Sequence, residues 1–180
     1  MLSGHFDLIV LEVCERYSRL GGRVPTRALC IRISRDLLPA HCTKQTLHEI
    51  IDFAAQMHIA LHLWISIGCT SAYACEPLGP GPGAELMRRL VKAAVPLCRH
   101  NIIVGGTASW ESPSDSELWK CKEVEELVTR QKMQECFAFS PGDSENVMNL
   151  DVEGARPVTN AETKLTEQIK IVTTNDKLRI

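Results

Sequence analysis

The sequence has no uninterrupted apolar run of the length that crosses a bilayer, and aromatic residues make up only 5% of it. Because a membrane-spanning helix needs about 20 predominantly apolar residues, we expect no such helix. The N-terminal segment also lacks a basic leader region, and Asp7 and Glu12 interrupt its apolar run, which argues against a secretory signal peptide. We therefore predict an intracellular protein, cytoplasmic or nuclear, with no membrane contact.

No Cys-x-x-Cys pair occurs among the eight cysteines, which are scattered along the chain. Disulfide frameworks and structural zinc sites both show characteristic cysteine spacings, and the sequence contains neither pattern. The nearest approach to a zinc site is Cys69 and Cys75 with a histidine, and this set lacks a ligand pair of the usual spacing. We therefore predict reduced thiols and no metal centre.

The chain carries no large excess of charge of either sign, since its formal net charge is −2. Such a balance gives no overall attraction to the phosphates of nucleic acid. The early loops nevertheless carry a series of arginines: Arg16, Arg19, Arg23, Arg27, Arg32 and Arg35. We interpret these arginines as a solvated face, and a phosphate-contacting surface is the alternative.

What the sequence does contain is the composition and patterning of a globular α/β domain. Its 180 residues are 44% apolar and 23% charged, which suits one domain with a substantial core. Short apolar runs predict strands at 6–13, 28–33, 59–67, 101–105, 136–139 and 168–174. Helical spacing of apolar residues predicts helices at 44–57 (with Thr43 as its N-cap), 84–98 and 117–132. Residues 77–83 (PLGPGPG) predict a mobile loop.

Strands that alternate with helices indicate right-handed βαβ units and a mostly parallel sheet with helices on both faces. We expect this core to span residues 1–139, followed by a polar, partly disordered segment at 140–167. Residues 168–180 would then hold a closing strand, which alternates apolar and polar residues as an edge strand does, and the C-terminus.

Ligands of such sheets collect beyond the carboxyl ends of the strands. Three segments occupy such positions in the predicted order of elements, namely 12–22, 68–71 and 110–113. The topology alone therefore predicts that a functional site forms where these three segments meet.

The same three segments carry a family resemblance. They read LEVCERYSRLG at 11–21, SIGCTS at 66–71 and SWESP at 109–113. In this order they resemble the cytosine-C5 DNA methyltransferases, and more closely the methyltransferase-like domains of mobile-element polyproteins. The separation of Cys69 from Glu111, with one helix and one strand between them, is similar to the family's. The resemblance spans nearly the whole chain in order.

The resemblance implies a Rossmann-like methyltransferase fold that binds S-adenosylmethionine and acts on DNA. Cys69 would be the nucleophile that adds to C6 of cytosine, and Glu111 would be the acid group that contacts the base. A cysteine in this role needs an electropositive setting, because a free thiol is mostly protonated at neutral pH. The residues that the resemblance assigns to the cofactor are Glu12, Cys14, Ser18 and Gly21.

The sequence departs from the family's pattern at several of these positions. Gly68 replaces the proline that precedes the nucleophile, and Glu15 and Arg16 stand where the cofactor loop needs a glycine. Arg32 occupies a place where the family often has an acidic residue for the ribose hydroxyls, and Ser112 follows Glu111 in place of asparagine. These departures predict a degenerate domain, inactive rather than active.

Two other hypotheses remain open. One is a non-catalytic scaffold or interaction module that keeps the fold without binding the cofactor. The other is a thiol-based hydrolase that pairs Cys69 with His62 or His100. His62 lies inside an apolar run, however, and is expected to be a hydrogen-bonded core histidine. Trp64 and Trp110 are expected to pack in the core, with stacking on a base or a cofactor ring as the alternative.

Overall fold

The structure, a computed structural model, describes residues 6–14, 27–66, 82–140 and 167–174. The strands are β1 (Leu8–Cys14), β2 (Ala28–Ser34), β3 (Ala60–Ser66), β4 (Thr107–Pro113), β5 (Gln134–Ser140) and β6 (Glu167–Thr173). The helices are α1 (His41–Gln56), α2 (Pro82–Ile103) and α3 (Lys122–Arg130), with 3-10 turns at Arg35–Leu37 and Glu117–Lys120. The predicted α/β class is confirmed.

The six strands form one mostly parallel sheet in the order β2-β1-β3-β4-β6-β5. The four strands β2, β1, β3 and β4 are parallel, and β6 runs antiparallel to both of its neighbours. The prediction that the final strand lies at a sheet edge is therefore wrong. Its alternation of apolar and polar residues does not mark an edge, because Ile171 and Val172 are both buried and Lys170 pairs with Glu135 of β5.

One face of the sheet carries the apolar core. In β1 this face presents Ile9, Leu11 and Val13, and Leu11 is in register with Leu63 of β3. The three helices pack on it through buried residues that belong to the same cluster: Leu47, Ile51 and Ala54 of α1, Leu90, Ala94 and Leu97 of α2, and Val124 and Leu127 of α3. Right-handed crossovers that all advance in one direction, from β2 to β3 to β4 to β5, place their helices on one face.

We expected helices on both faces of the sheet, but in the described parts of the chain all three helices share the apolar face. The opposite face bears the alternate residues of each strand, and we call it the polar face. Its members with described side chains include Glu12, Arg32, His62, Trp64, Ser109, Glu111 and Thr173. The two faces of one sheet therefore differ sharply in chemistry.

The predicted strand at 101–105 is wrong, because α2 continues to Ile103. Its buried stripe runs on at helical spacing from Leu97 to Asn101, and Asn101 is fully buried. The side-chain Nδ2 of Asn101 donates to the carbonyl oxygen of Thr107, 2.7 Å away, so the helix end is tied to the following strand. The first turn of α2 also takes in Pro82 and Gly83, which we had placed in a loop.

The segment 110–113, predicted to follow a strand, lies inside β4. The turn into this strand uses Gly105 at φ +95°, a backbone conformation that favours glycine. Ala108 and Trp110 of β4 are fully buried in the core. Glu111 is therefore a strand residue and not a residue of a strand exit.

Smaller differences concern element ends. Helix α1 begins at His41, so Thr43 lies inside the helix and is not its N-cap. The predicted helix at 117–132 is divided into a 3-10 turn and α3. The predicted polar segment loses one residue at each end to β5 and β6, and residues 141–166 lie outside the described part of the chain. None of the described helices is long and apolar enough to span a membrane.

Candidate functional site

The order of the strands places a crevice next to β1. The chain passes from β1 outward to β2 and then crosses back to β3 on the other side of β1. In open α/β sheets, ligands bind beyond the carboxyl ends of the two strands at such a switch point. The last residues of these strands, Cys14 of β1 and Ser66 of β3, are in register with each other. The candidate site therefore lies at this end of the sheet.

Three of the predicted site residues belong to segments that follow these strands. Ser18, Gly21 and Cys69 lie outside the described residues. Cys14 is the last residue of β1, which is the position expected of a cofactor-loop residue. The described part of the site therefore consists of side chains on the strands themselves.

Glu12 is a fully buried carboxylate on the polar face. It is in register with Arg32 of β2 and with Trp64 of β3, and Nε of Arg32 donates to its Oε2 over 3.1 Å. Burial raises the pKa of Glu12 above its usual value of 4.5, although the Arg32 guanidinium acts against this rise. The other oxygen, Oε1, is buried and has no hydrogen-bond partner among the residues that the structure describes. Among the described residues, the arginine that pairs with Glu12 is Arg32.

Glu111 lies two residues before the end of β4, opposite Ser66 at the end of β3. It is half-buried, and its Oε2 accepts a hydrogen bond from the indole Nε1 of Trp64 over 3.1 Å. Burial raises the pKa of Glu111, and the charge of Glu12 adds to the rise, while the Trp64 hydrogen bond opposes it. Glu111 thus reaches the carboxyl end of the sheet although it lies within a strand.

The structure brings together Glu12 and Glu111, two residues that the sequence assigned to different roles. Trp64 links them, because it is the register neighbour of Glu12 and the hydrogen-bond donor to Glu111. Trp64 is 7% exposed but lies on the polar face, outside the apolar core cluster that contains Trp110. Trp64 is therefore buried as predicted, although outside this cluster, and the predicted core packing of Trp110 is confirmed. The alternation of apolar and polar residues along β3 was the signal for this difference.

His62 occupies the same face, two residues before Trp64. It is buried, and its Nδ1 lies 2.7 Å from Oγ1 of Thr107, as expected for a hydrogen-bonded buried histidine. Burial lowers the pKa of His62 to about 4, so the ring is neutral at physiological pH. His100 belongs instead to the helical layer, where its Nε2 lies 2.7 Å from Oδ1 of Asp52 on α1.

Arg32 and Trp64 are the residues whose functional contacts we did not foresee. The sequence marks Arg32 as one of a series of arginines and as a departure from the family, and its contact with Glu12 depends on the register of β1 and β2. No group of three or more metal-ligating side chains occurs in the described part of the chain. The cysteines described there, Cys30, Cys42, Cys98, Cys121 and Cys136, are free thiols.

Comparison with known proteins gives no relative. No family model, no curated protein and no solved structure matches the chain. The resemblance to cytosine-C5 methyltransferases therefore depends on the three sequence segments. What the structure adds is the strand order and the two buried carboxyl groups at the carboxyl end of the sheet.

Proposed function

We propose that the chain is a methyltransferase-like domain, degenerate relative to active enzymes, that is related to the DNA cytosine-C5 methyltransferases and binds S-adenosylmethionine. The observation that carries this proposal is the position of β6, which runs antiparallel between β4 and β5 beside four parallel strands. The family resemblance implies that the last strand of the chain closes the sheet, and β6 is that strand. Sheets that bind dinucleotides use parallel strands in the same region.

The residues at the end of β1 fit the proposed cofactor in one specific respect. Oε1 of Glu12 is a buried acceptor without a partner in the described part of the chain, and buried polar atoms in proteins nearly always have one. A ligand hydroxyl or amino group would satisfy this atom, and the ribose and amino groups of S-adenosylmethionine are donors of this kind. Glu12 and Cys14 would then hold the cofactor at the switch point, with Ser18 and Gly21 from the following segment.

The cofactor, when bound, supplies an electrophilic methyl group. The remaining chemistry belongs to the chain's own residues. Glu111 would hold a proton near the target base, and its raised pKa suits that task because a carboxyl group must be neutral to donate. Cys69, which follows β3 in the sequence, would be the nucleophile. Glu111 lies on the neighbouring strand β4, in register with the last residue of β3.

One observation favours the second candidate, a scaffold that has lost cofactor binding. Arg32 already occupies Oε2 of Glu12, so one oxygen of the carboxylate is engaged by the protein itself. Arg32 also replaces the acidic residue that the family often offers to the ribose. Of the two oxygens of Glu12, Oε1 is therefore the one that Arg32 leaves for a ligand at this end of β1.

Calorimetric titration with S-adenosylmethionine and with S-adenosylhomocysteine tests cofactor binding. We expect saturable binding, and Glu12→Gln should weaken it about tenfold through loss of a charged hydrogen bond. Glu49→Gln is the matched control, because Glu49 is an exposed glutamate on α1. Absence of binding at millimolar ligand would overturn the proposal.

A second assay separates the two candidates. Methyl transfer from labelled cofactor to cytosine-containing DNA, abolished by Cys69→Ser, would establish an active enzyme and remove the scaffold reading. Cofactor binding without methyl transfer would establish the degenerate domain that we propose. If neither binding nor transfer occurs, the scaffold reading replaces our proposal.

A further inference from the structure

Trp64 makes a directed contact whose consequences extend beyond packing. Its indole N–H is a donor only, so the oxygen that it contacts must accept, whatever the protonation state of the carboxyl group. That oxygen is Oε2 of Glu111, 3.1 Å away. Trp64 is almost fully buried, and a buried indole N–H has no water to turn to if the bond breaks. The bond therefore persists when Glu111 gains or loses its proton.

The two carboxyl groups beside Trp64 differ in their partners. Glu12 has a guanidinium at hydrogen-bond distance, which favours its ionised form, whereas Glu111 has a neutral donor. The charge on Glu12 also disfavours a second negative charge on Glu111. Burial raises the pKa of both carboxyl groups, but Arg32 opposes the rise at Glu12 and the charge of Glu12 adds to it at Glu111. We therefore assign Glu12 as the ion of the pair and Glu111 as the acid.

The other titratable groups of this face do not change that assignment. Among the side chains described on the polar face, His62 of β3 is neutral, and Cys30 of β2 and Cys136 of β5 are thiols whose pKa is raised by burial. Arg32 is the cation that faces Glu12. Among the described titratable groups of this face, Glu111 is the carboxyl group whose pKa is raised both by burial and by the charge of Glu12.

We propose that Trp64 is a positioning residue for Glu111: its N–H fixes Oε2 as the accepting, carbonyl-type oxygen, so that the acidic proton resides on Oε1. The carbonyl oxygen of a neutral carboxyl group is the better acceptor, and the hydroxyl oxygen is then the one left to donate to a ligand. The inference rests on the proposed function only in naming Glu111 as the acid. Glu12, held by Arg32, supplies the charge that keeps this proton in place.

The indole N–H signals in a ¹⁵N-labelled sample test the proposal directly. The chain has three tryptophans, and Trp64→Phe identifies the signal of Trp64 by its loss. We expect this signal to shift with pH, with a midpoint above the usual glutamate value of 4.5. The titration should disappear in Glu111→Gln, whose amide oxygen still accepts the bond, and its midpoint should move to lower pH in Glu12→Gln.

Trp119 provides an internal control, since its Nε1 donates to the carbonyl oxygen of Pro113 over 2.7 Å and to no carboxylate. Its signal should not follow the same titration. In Trp64→Phe, the carboxyl ¹³C signal of Glu111 should titrate about one pH unit higher, because a donor to the ionised form is lost. A Trp64 signal that does not titrate, or that still titrates in Glu111→Gln, would overturn the proposal.

These measurements need neither cofactor nor DNA. A protein that fails to bind S-adenosylmethionine but shows the expected titration would refute the proposed function and leave the role of Trp64 intact. A protein that binds the cofactor but whose Trp64 signal does not titrate would refute the role of Trp64 and leave the proposed function intact. If Trp64→Phe does not fold, the comparison of the unaltered chain with Glu111→Gln still decides the question.

Discussion

Protonation of His62 should destabilise the fold between pH 7 and pH 4. The ring is 7% exposed on β3, and its Nδ1 lies 2.7 Å from Oγ1 of Thr107. Its Nε2 has no hydrogen-bond partner among residues 6–14, 27–66, 82–140 and 167–174. Burial alone lowers its pKa, from 6.5 to about 4. The folded chain therefore binds the proton much more weakly than the unfolded chain does.

The magnitude follows from this difference in pKa. Each pH unit between the folded and unfolded values is worth about 1.4 kcal/mol, so the contribution of His62 is complete above pH 6.5 and falls by about 3 kcal/mol as the pH decreases to 4. The raised pKa values of Glu12 and Glu111 act in the opposite direction, because their protonation stabilises the fold as the pH falls. Between pH 7 and pH 4 the unaltered chain therefore loses less free energy of unfolding than the contribution of His62 alone would give.

His62→Asn isolates the effect, because asparagine can still contact Thr107 but cannot titrate. Urea denaturation at pH 7 and at pH 4 should show that the free energy of unfolding decreases by about 3 kcal/mol less in the variant than in the unaltered chain. His58→Asn is the control, since His58 is exposed and asparagine accepts its φ of 54°. If His62→Asn and the unaltered chain lose equal stability, His62 is not a buried neutral base.

Three further predictions concern stability and reactivity. Arg32→Met should cost about 1–2 kcal/mol in urea denaturation at pH 7 and less at pH 4, where Glu12 is protonated; an equal cost at both would contradict the ion pair. Gly106→Ala should cost about 2 kcal/mol, because a Cβ there meets the side chain of Asn101, and an unchanged urea midpoint would refute this. Cys98 is fully buried and its pKa is raised to about 12, so it should not react with iodoacetamide, whereas the exposed Cys42 should react. If mass spectrometric mapping finds Cys98 alkylated in the folded protein, its burial is contradicted.

The first three strands were predictable from composition. Residues 28–33 were expected as a strand and form most of Ala28–Ser34, and residues 59–67 enclose Ala60–Ser66. Both are short runs rich in Leu and Ile, and each is flanked by turn residues or by the end of a helix. Strands that are buried on the apolar face have this appearance whatever their neighbours are.

The boundary between α2 and β4 was not predictable for a physical reason. The run NIIVG has β-branched residues typical of a strand, but Asn101 continues the buried helical stripe and bonds to Thr107. The following TASWESP reads as a loop, because its serines have no visible partners in the sequence. Ser109 finds its partner in Thr173, which lies 64 positions later. Contacts of that range cannot be read from local patterns.

The same limit applies to the site. The sequence suggests Glu12 and Glu111 one at a time, as acidic residues in segments that resemble a known family. Their connection through Trp64 depends on the register of three strands, which no local pattern specifies. The partner of Glu12 was unpredictable for the same reason, since Arg32 meets it only because β1 and β2 pair residue for residue.

The position of β6 in the sheet also determines when the sheet can be completed during synthesis on the ribosome. It is the last of the six strands to be synthesised, yet it lies between β4 and β5 and is the only strand that pairs with β5 in the described sheet. Until residues Glu167–Thr173 emerge, the nascent chain exposes two open strand edges with unpaired backbone N–H and C=O groups. A translational pause before this point would therefore prolong the interval in which those edges can pair with other chains.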